Sequence, residues 1–256
     1  MDLDRQLYSW NKPCPMGCSY CFAKWPNYTG QPAIDYLWNC PSNSIIYPCC
    51  DSDMADGAEI SERLLNIAKK SPRMYVSISV KRMPELDSLE SLNTLNRYLK
   101  DTNKGFVKIG ISLTTKYRLE EIEPGTDSFF QRKELFLELQ RRGFETSIVL
   151  KPILPFIPDS EYFEIIEDFP SCSYFLLGDL YIQEETNFYN KYINGRYDLI
   201  NKEISWLDSH PVWKCIDQAE RIQHIARHIA DLGKEPFNCD IDLIARIAEK
   251  DKEKRE

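Results

Sequence analysis

The feature that most narrows the possible folds is a regular exchange of two periodicities. Short apolar runs rich in β-branched residues recur along the chain: NSIIYPCC (43–50), RMYVSISV (73–80), FVKIGISL (106–113), ETSIVLKPIL (145–154) and SYFLLGDLY (173–181). Runs of this length and composition read as buried strands, and RQLYSWN (5–11) reads as another ahead of them. Helical patterns stand between. GAEISERLLNIAKK (57–70) puts Ile60, Leu64, Ile67 and Ala68 on one face, LDSLESLNTLNRYLK (86–100) offers Asp87 or Ser88 as a cap, and SFFQRKELFLELQRRG (128–143) stops at Gly143. Repeated strand–helix units favour a parallel sheet, with functional groups at the strand C-terminal ends. Six units are too few for a closed eight-stranded barrel.

Bulk composition agrees with one large globular domain. The chain has 256 residues, of which 43% are hydrophobic and 28% charged, ordinary values for such a domain. No segment approaches the length of a membrane span. The net charge is −8 and the pI near 5.1, which disfavours an extensive electrostatic footprint on nucleic acid.

Cysteine usage points to chemistry. There are nine cysteines, an odd number, and the N-terminal MDLDRQLYSW is charged with no apolar run. A soluble, cytoplasmic, reducing setting is expected, where free thiols or metal ligands prevail over bridges. Cys14, Cys18 and Cys21 stand together in KPCPMGCSYCFAK (12–24). Structural zinc wants four protein ligands, usually as two spaced pairs. Cys40, Cys49 and Cys50 form no second C-x₂-C pair, and no histidine precedes His210. In a four-iron cluster each iron is held by a cysteine thiolate, so three cysteines leave one iron open to a substrate or cofactor.

The C-x₃-C-x₂-C spacing, with the aromatic Tyr20 before the third cysteine, resembles the radical S-adenosylmethionine (SAM) signature. The resemblance implies a [4Fe–4S] cluster on Cys14, Cys18 and Cys21 whose open iron chelates SAM. It implies reductive cleavage of SAM to a 5′-deoxyadenosyl radical, hydrogen-atom abstraction, and an electron donor such as flavodoxin or ferredoxin. The common core of that superfamily is a partial (βα)6 TIM-like barrel, in agreement with the strand count. An α/β fold of this kind is therefore expected, with a core over 1–205 and a C-terminal helical extension over 206–256 packed on it. PVWKCIDQAERIQHIARHIADLG (211–233) reads as its first helix, with Ile216, Ile222, Ile225 and Ile229 as the buried stripe.

Several strand ends are similar to the spore photoproduct lyase-like branch. YCFAK (20–24) matches its first motif. GISLTTKYRLEEIEPGTDSFFQR (110–132) has the branch's layout of Ser112, then Glu123-Pro124-Gly125-Thr126, then Arg132. CCDSDMADG (49–57) resembles a Cys-x-Ser-Asp run containing Ser52, and Lys81 and Lys151 end the third and fifth strands in matching places. The resemblance implies that Tyr20, Ser52, Lys81, Ser112 and Lys151 contact the cofactor. A lysine and a hydroxyl suit the anionic carboxylate of SAM. Glu123 and Arg132 are expected near the barrel mouth, and Cys50, or Cys49 beside it, as a hydrogen-atom donor. The alternative is that Cys49 and Cys50 are small core residues.

The loop WPNYTGQPAIDYLWNCPSNS (25–44) is rich in proline, asparagine and aromatics. Trp25, Tyr28, Tyr36 and Trp38 either stack on a planar substrate or, the preferred reading, form a lid over the cluster. The substrate is open among a small molecule, a nucleotide and a partner protein. Lesion repair on DNA, or a non-catalytic iron–sulfur protein serving a partner complex, are the alternatives.

Overall fold

The computed structural model describes residues 3–10, 12–54, 57–103, 105–207 and 209–253. Asn11, in the expected first strand, and residues 55 and 56, in the run after the second, lie outside the described residues. The chain runs β1 (Asp4–Leu7), β2 (Ser44–Tyr47), α1 (Ala58–Ala68), β3 (Met74–Val80), α2 (Leu86–Tyr98), β4 (Phe106–Ser112), α3 (Leu119–Ile122), α4 (Phe129–Arg141) and β5 (Glu145–Leu150). It continues through α5 (Asp159–Glu167), β6 (Tyr174–Leu177), β7 (Tyr181–Ile182), α6 (Asn187–Tyr192), β8 (Leu199–Glu203), β9 (Val212–Ile216), α7 (Ala219–Asp231), β10 (Glu235–Phe237) and α8 (Asp240–Glu253).

A seven-stranded sheet in the order β1-β2-β3-β4-β5-β6-β10, parallel throughout, curls into a half-barrel. The six expected strands are present, and β10 is a seventh. EPF is three residues long and contains proline, so no strand periodicity is visible there. The stretch 211–233 is not one helix. Val212–Ile216 is β9, the centre of an antiparallel β7-β9-β8 sheet, and Ile216 belongs to it rather than to the helical stripe. Ile222, Ile225 and Ile229 are buried on α7 as expected. Among the described residues between β1 and β2 there is no α-helix, only single 3₁₀ turns at Phe22–Lys24 and Ile34–Tyr36. Ser128 caps α4 in a reciprocal box with Gln131. Ser88 caps a neighbour rather than its own helix, since its Oγ accepts the N–H of Ala58 at the start of α1.

Strand alternation divides the sheet into two faces. Ile46, Val76, Ile109, Ile148 and Phe175 point to the main core under the outer helices. Their neighbours Ile45, Tyr75, Phe106, Val149 and Leu176 point to the concave side and pack against Leu243, Ile244 and Ile247 of α8. Those three side chains are 2% exposed or less. At about 1.5–3 kcal/mol each, their burial holds α8 inside the half-barrel. Above this layer the same face turns polar, through Ser77, Lys108 and Ser147, all at most 4% exposed, and Ser112. No described helix is long and apolar enough to cross a membrane.

Candidate active site

The cysteine loop closes over one end of the concave face. Gly17 takes φ +67°, a left-handed conformation that glycine adopts without a Cβ penalty. The loop is braced by the segment after α3. Ser19 N–H donates to the carbonyl of Ile122 (2.9 Å) and Gly125 N–H to that of Met16 (2.9 Å). A Cβ on Gly125 would lie 2.7 Å from the carbonyl oxygens of both Pro15 and Met16. Thus the Glu-Pro-Gly-Thr run is where backbone meets backbone under the cysteine loop. All three cysteines are free thiols, Cys18 buried and Cys14 and Cys21 half-buried. Burial pushes Cys18 up to about 11 and raises Cys21 as well.

Behind the loop lies a charge hub. Lys81, just past β3, donates from Nζ to Tyr20 Oη (2.9 Å), Ser112 Oγ (2.8 Å) and Glu123 Oε1 (2.5 Å). The same Glu123 oxygen accepts Thr114 Oγ1 (2.9 Å) and the Tyr20 hydroxyl. Its other oxygen meets Arg132 Nη1 at 2.8 Å. Burial opposes ionisation of Glu123, but Lys81 and Arg132 outweigh it and hold the carboxyl down to about 2. Arg132 also donates to the carbonyls of Asp127 (2.9 Å) and Ser112 (2.7 Å), so one guanidinium ties the end of β4 to the loop that supports the cysteines.

In front of the hub is a cavity of about 750 Å³. Cys14, Cys18, Cys21, Tyr20, Lys81 and Ser112 line it on the hub side, and Cys49, Cys50 and Ser52 line it at the end of β2. Ser52 Oγ is buried with no protein partner. Burial holds both Cys49 and Cys50 thiols up, Cys50 to about 12, with Asp53 acting further on Cys49 and Asp51 on Cys50; both are neutral S–H groups near pH 7.

The structure therefore brings Cys14, Cys18, Cys21, Tyr20, Cys49, Cys50, Ser52, Lys81, Ser112 and Lys151 to one cavity, with Lys151 Nζ donating to the carbonyl of Asn238. Glu123 and Arg132, expected at the mouth, stand behind the wall instead. They are 1% and 0% exposed and do not line the cavity; an arginine and a glutamate this deep act on one another and on Lys81. The loop 25–44 also differs from a simple lid. Trp25 packs on Trp213 (5.0 Å) and Tyr28 on Phe22 (5.2 Å). Tyr36 and Trp38 are 72% and 73% exposed, and none of the four lines the cavity. Phe22, Tyr181 and Trp206 supply aromatic lining instead, Trp206 from the unexpected segment between β8 and β9.

The floor was not anticipated either. Arg5, Asn238, Cys239 and Asp240 line it, and buried Lys108 pairs with Asp240 at 2.6 Å. One signal for it was present: a lysine inside the apolar run FVKIGISL has to find a partner if that strand is buried.

No family model matches the chain, and no curated protein matches it. Solved structures do. A cysteine-to-alanine variant of spore photoproduct lyase with dinucleoside spore photoproduct superimposes with a TM-score of 0.61 at 16% identity, over 91% of this chain and 74% of that one. A tyrosine-to-phenylalanine variant gives 0.60 at 16%, over 88% and 73%. A third, with bound AdoMet and dinucleoside spore photoproduct, gives 0.50 at 15%, over 76% and 60%. The fold is that of the radical SAM class. Within that class it is the spore photoproduct lyase-like form, a likeness that at these identities is one of fold.

Proposed function

We propose that the chain is a radical SAM enzyme that holds a [4Fe–4S] cluster through Cys14, Cys18 and Cys21 and binds SAM beside it. The observation that carries this reading is the position of three free thiols on one braced loop, open to the cavity that Lys81, Ser112 and Ser52 also line. The residues suit both groups. Among the described residues no three His, Cys, Asp or Glu converge on a single metal ion. A cluster differs in taking each thiolate at a separate iron. The buried Ser52 Oγ without a protein partner suits a polar ligand. When bound, the cluster and SAM supply a 5′-deoxyadenosyl radical for hydrogen-atom abstraction, using one electron from a flavodoxin- or ferredoxin-like donor.

The chain's own residues bind and orient. Lys81 Nζ, on giving up its bond to Ser112, and the Ser112 hydroxyl would donate to the carboxylate of SAM, and Glu123 with Arg132 fixes where Lys81 stands. Tyr20 keeps its proton, because burial and the adjacent Glu123 raise it well above the ordinary tyrosine range; it holds Lys81 as a neutral partner. The Cys50 thiol, with Cys49 beside it, is a neutral S–H able to give a hydrogen atom to a substrate radical. Residues 1–205 carry the barrel chemistry, and residues 206–256 complete the floor and aromatic lining.

Anaerobic reconstitution should give a brown protein with four irons that releases 5′-deoxyadenosine under reductant. The C14A/C18A/C21A variant should lose the cluster, and its retention would overturn the assignment. Bound cluster without deoxyadenosine would favour a non-catalytic iron–sulfur protein. A second reading is lesion reversal on DNA. It is favoured by the fold neighbours solved with dinucleoside spore photoproduct, and it predicts salt-sensitive binding of a damaged oligonucleotide.

A further inference from the structure

The floor of the cavity carries more positive charge than its own carboxylate balances. Three cations gather there from separate strands: Arg5 on β1, Lys108 on β4 and Lys151 just past β5. One acid, Asp240, faces them from the first turn of α8. Both of its oxygens are taken, Oδ1 by Lys108 Nζ (2.6 Å) and Oδ2 by Ser77 Oγ (2.6 Å). Arg5 and Lys151 have no ion pair among the described residues. The Arg5 guanidinium lies 6.0 Å from the centre of the Tyr47 ring and donates to Cys239 Sγ at 3.6 Å. Lys151 Nζ donates to the carbonyl of Asn238 at 2.9 Å. The other acids lining the cavity are hydrogen-bonded away from Arg5 and Lys151, Asp179 and Glu203 to basic side chains and Asp51 to neutral hydroxyls. Asp51 accepts from Ser9 and Tyr28, Asp53 from the Lys81 N–H, Asp179 pairs with Lys202 and Glu203 with His210.

Cations in a low-dielectric wall are costly unless compensated. Burial pushes Lys151 down to about 8, and Lys108 and Arg5 add to the depression despite Asp240. The N-terminal end of α8, a helix of 14 residues, adds partial positive charge at the same place. Everything at the floor that lacks a counter-charge is therefore positive and faces the cavity.

We propose that the cavity floor, built from Arg5 and Lys151 beside the start of α8, anchors the anionic head group, a carboxylate or a phosphate, of a small-molecule substrate. The inference rests on the radical SAM reading for calling that molecule a substrate, deepens that reading by naming its class, and assigns Lys151 to the substrate in place of the cofactor contact that the sequence resemblance implies. A guanidinium is suited to two parallel hydrogen bonds with either anion, and an ammonium adds a point charge. The cavity, about 750 Å³, is within the range of small-molecule sites. A molecule held by its anion at the floor extends toward the wall where Cys50 and the three loop cysteines stand.

The test is calorimetric titration with inorganic phosphate and, separately, with acetate, replacing chloride at constant ionic strength. It is done on metal-free protein and on reconstituted protein saturated with SAM. Saturable one-site binding of at least one ion is expected in both, and the preferred ion tells phosphate from carboxylate. Arg5→Gln and Lys151→Gln should each weaken it tenfold or more. Lys214→Gln, outside the cavity and paired with Glu184, should leave it unchanged. In unmutated protein the same ion should slow alkylation of Cys239, read by peptide mass spectrometry, a result that needs no variant to fold. Absence of binding for both ions, binding indifferent to both substitutions, or one-for-one displacement by SAM would each overturn the proposal. Failure to release 5′-deoxyadenosine would sink the radical SAM reading while leaving the titration of metal-free protein intact, so the two failures are distinguishable.

Discussion

Two buried carboxylates organise opposite ends of this cavity, and they do so differently. Glu123 is wholly inside the protein. Lys81, Tyr20 and Thr114 donate hydrogen bonds to it, Arg132 pairs with it by charge, and none of its side chain is exposed. Asp240 is at the cavity surface with its side chain 12% exposed, holds one lysine and one serine, and leaves two further cations without a counter-charge. Burial works against ionisation of both, and the adjacent cations outweigh it in both. The difference is one of closure. A closed hub fixes a backbone and a lysine in place, whereas an open one leaves charge for a ligand.

The sharpest way to break this comparison is to neutralise the closed hub. Glu123→Gln leaves buried Arg132, and half-buried Lys81 beside it, without a counter-charge, a change that costs about 3–5 kcal/mol. Acid should report the same energy. The folded carboxyl is lowered from 4.5 to about 2, so below the ordinary value the unfolded chain binds the proton first. The stabilisation is complete above about pH 4.5 and is lost as pH falls toward 2. That depression corresponds to about 3 kcal/mol. Urea midpoints of the native protein should fall more steeply across this window than those of Glu123→Gln, the remaining slope coming from other lowered carboxyls such as Asp240. Parallel curves would mean that Glu123 is not the closed hub described.

Asp240→Asn is the matching change at the open hub; it leaves buried Lys108 without its counter-charge, and because Asp240 is itself partly exposed the expected cost is at the lower end of the same range, about 3 kcal/mol. Cavity-facing cations can recruit an anion from solution, so added phosphate should recover much of the lost stability. Phosphate should do much less for Glu123→Gln, because Arg132 is sealed and only Lys81 of its two cations reaches the cavity. Equal response of the two variants to phosphate in thermal melts would erase the distinction.

The two ends also differ in how far they could be read in the sequence. The cysteine loop and the Glu123–Arg132 run are local, since their spacings are set by single turns. Gly125 explains why the second run has its form: any side chain there would strike the backbone of Pro15 and Met16. Long strands such as Met74–Val80 and Phe106–Ser112 were legible because seven residues carry a periodic pattern. The floor is assembled from positions 5, 151 and 240, with Lys108 behind Asp240, and no window connects them. β7 has two residues and β10 three, too few for periodicity to register, and both depend on neighbours for their hydrogen bonds. What sequence pattern misses here is long-range assembly, and the aromatic lining and floor of the cavity are made of it.

The smallest expected effect separates two serines on the same wall. Ser112 Oγ accepts Lys81 Nζ at 2.8 Å and so belongs to the closed hub, whereas Ser52 Oγ is buried with no protein partner. Removing the first hydroxyl takes away a hydrogen bond to a charged group, and Ser112→Ala should destabilise by about 1.5–3 kcal/mol. Removing the second takes away nothing the folded protein uses. Ser52→Ala should therefore change stability by less than about 0.5 kcal/mol. If Ser52 faces SAM, the same variant should bind SAM about tenfold more weakly in the reconstituted protein, the equivalent of one hydrogen bond. A stability loss in Ser52→Ala as large as in Ser112→Ala would give Ser52 a structural role. Unchanged stability together with unchanged SAM affinity would remove it from the cofactor site.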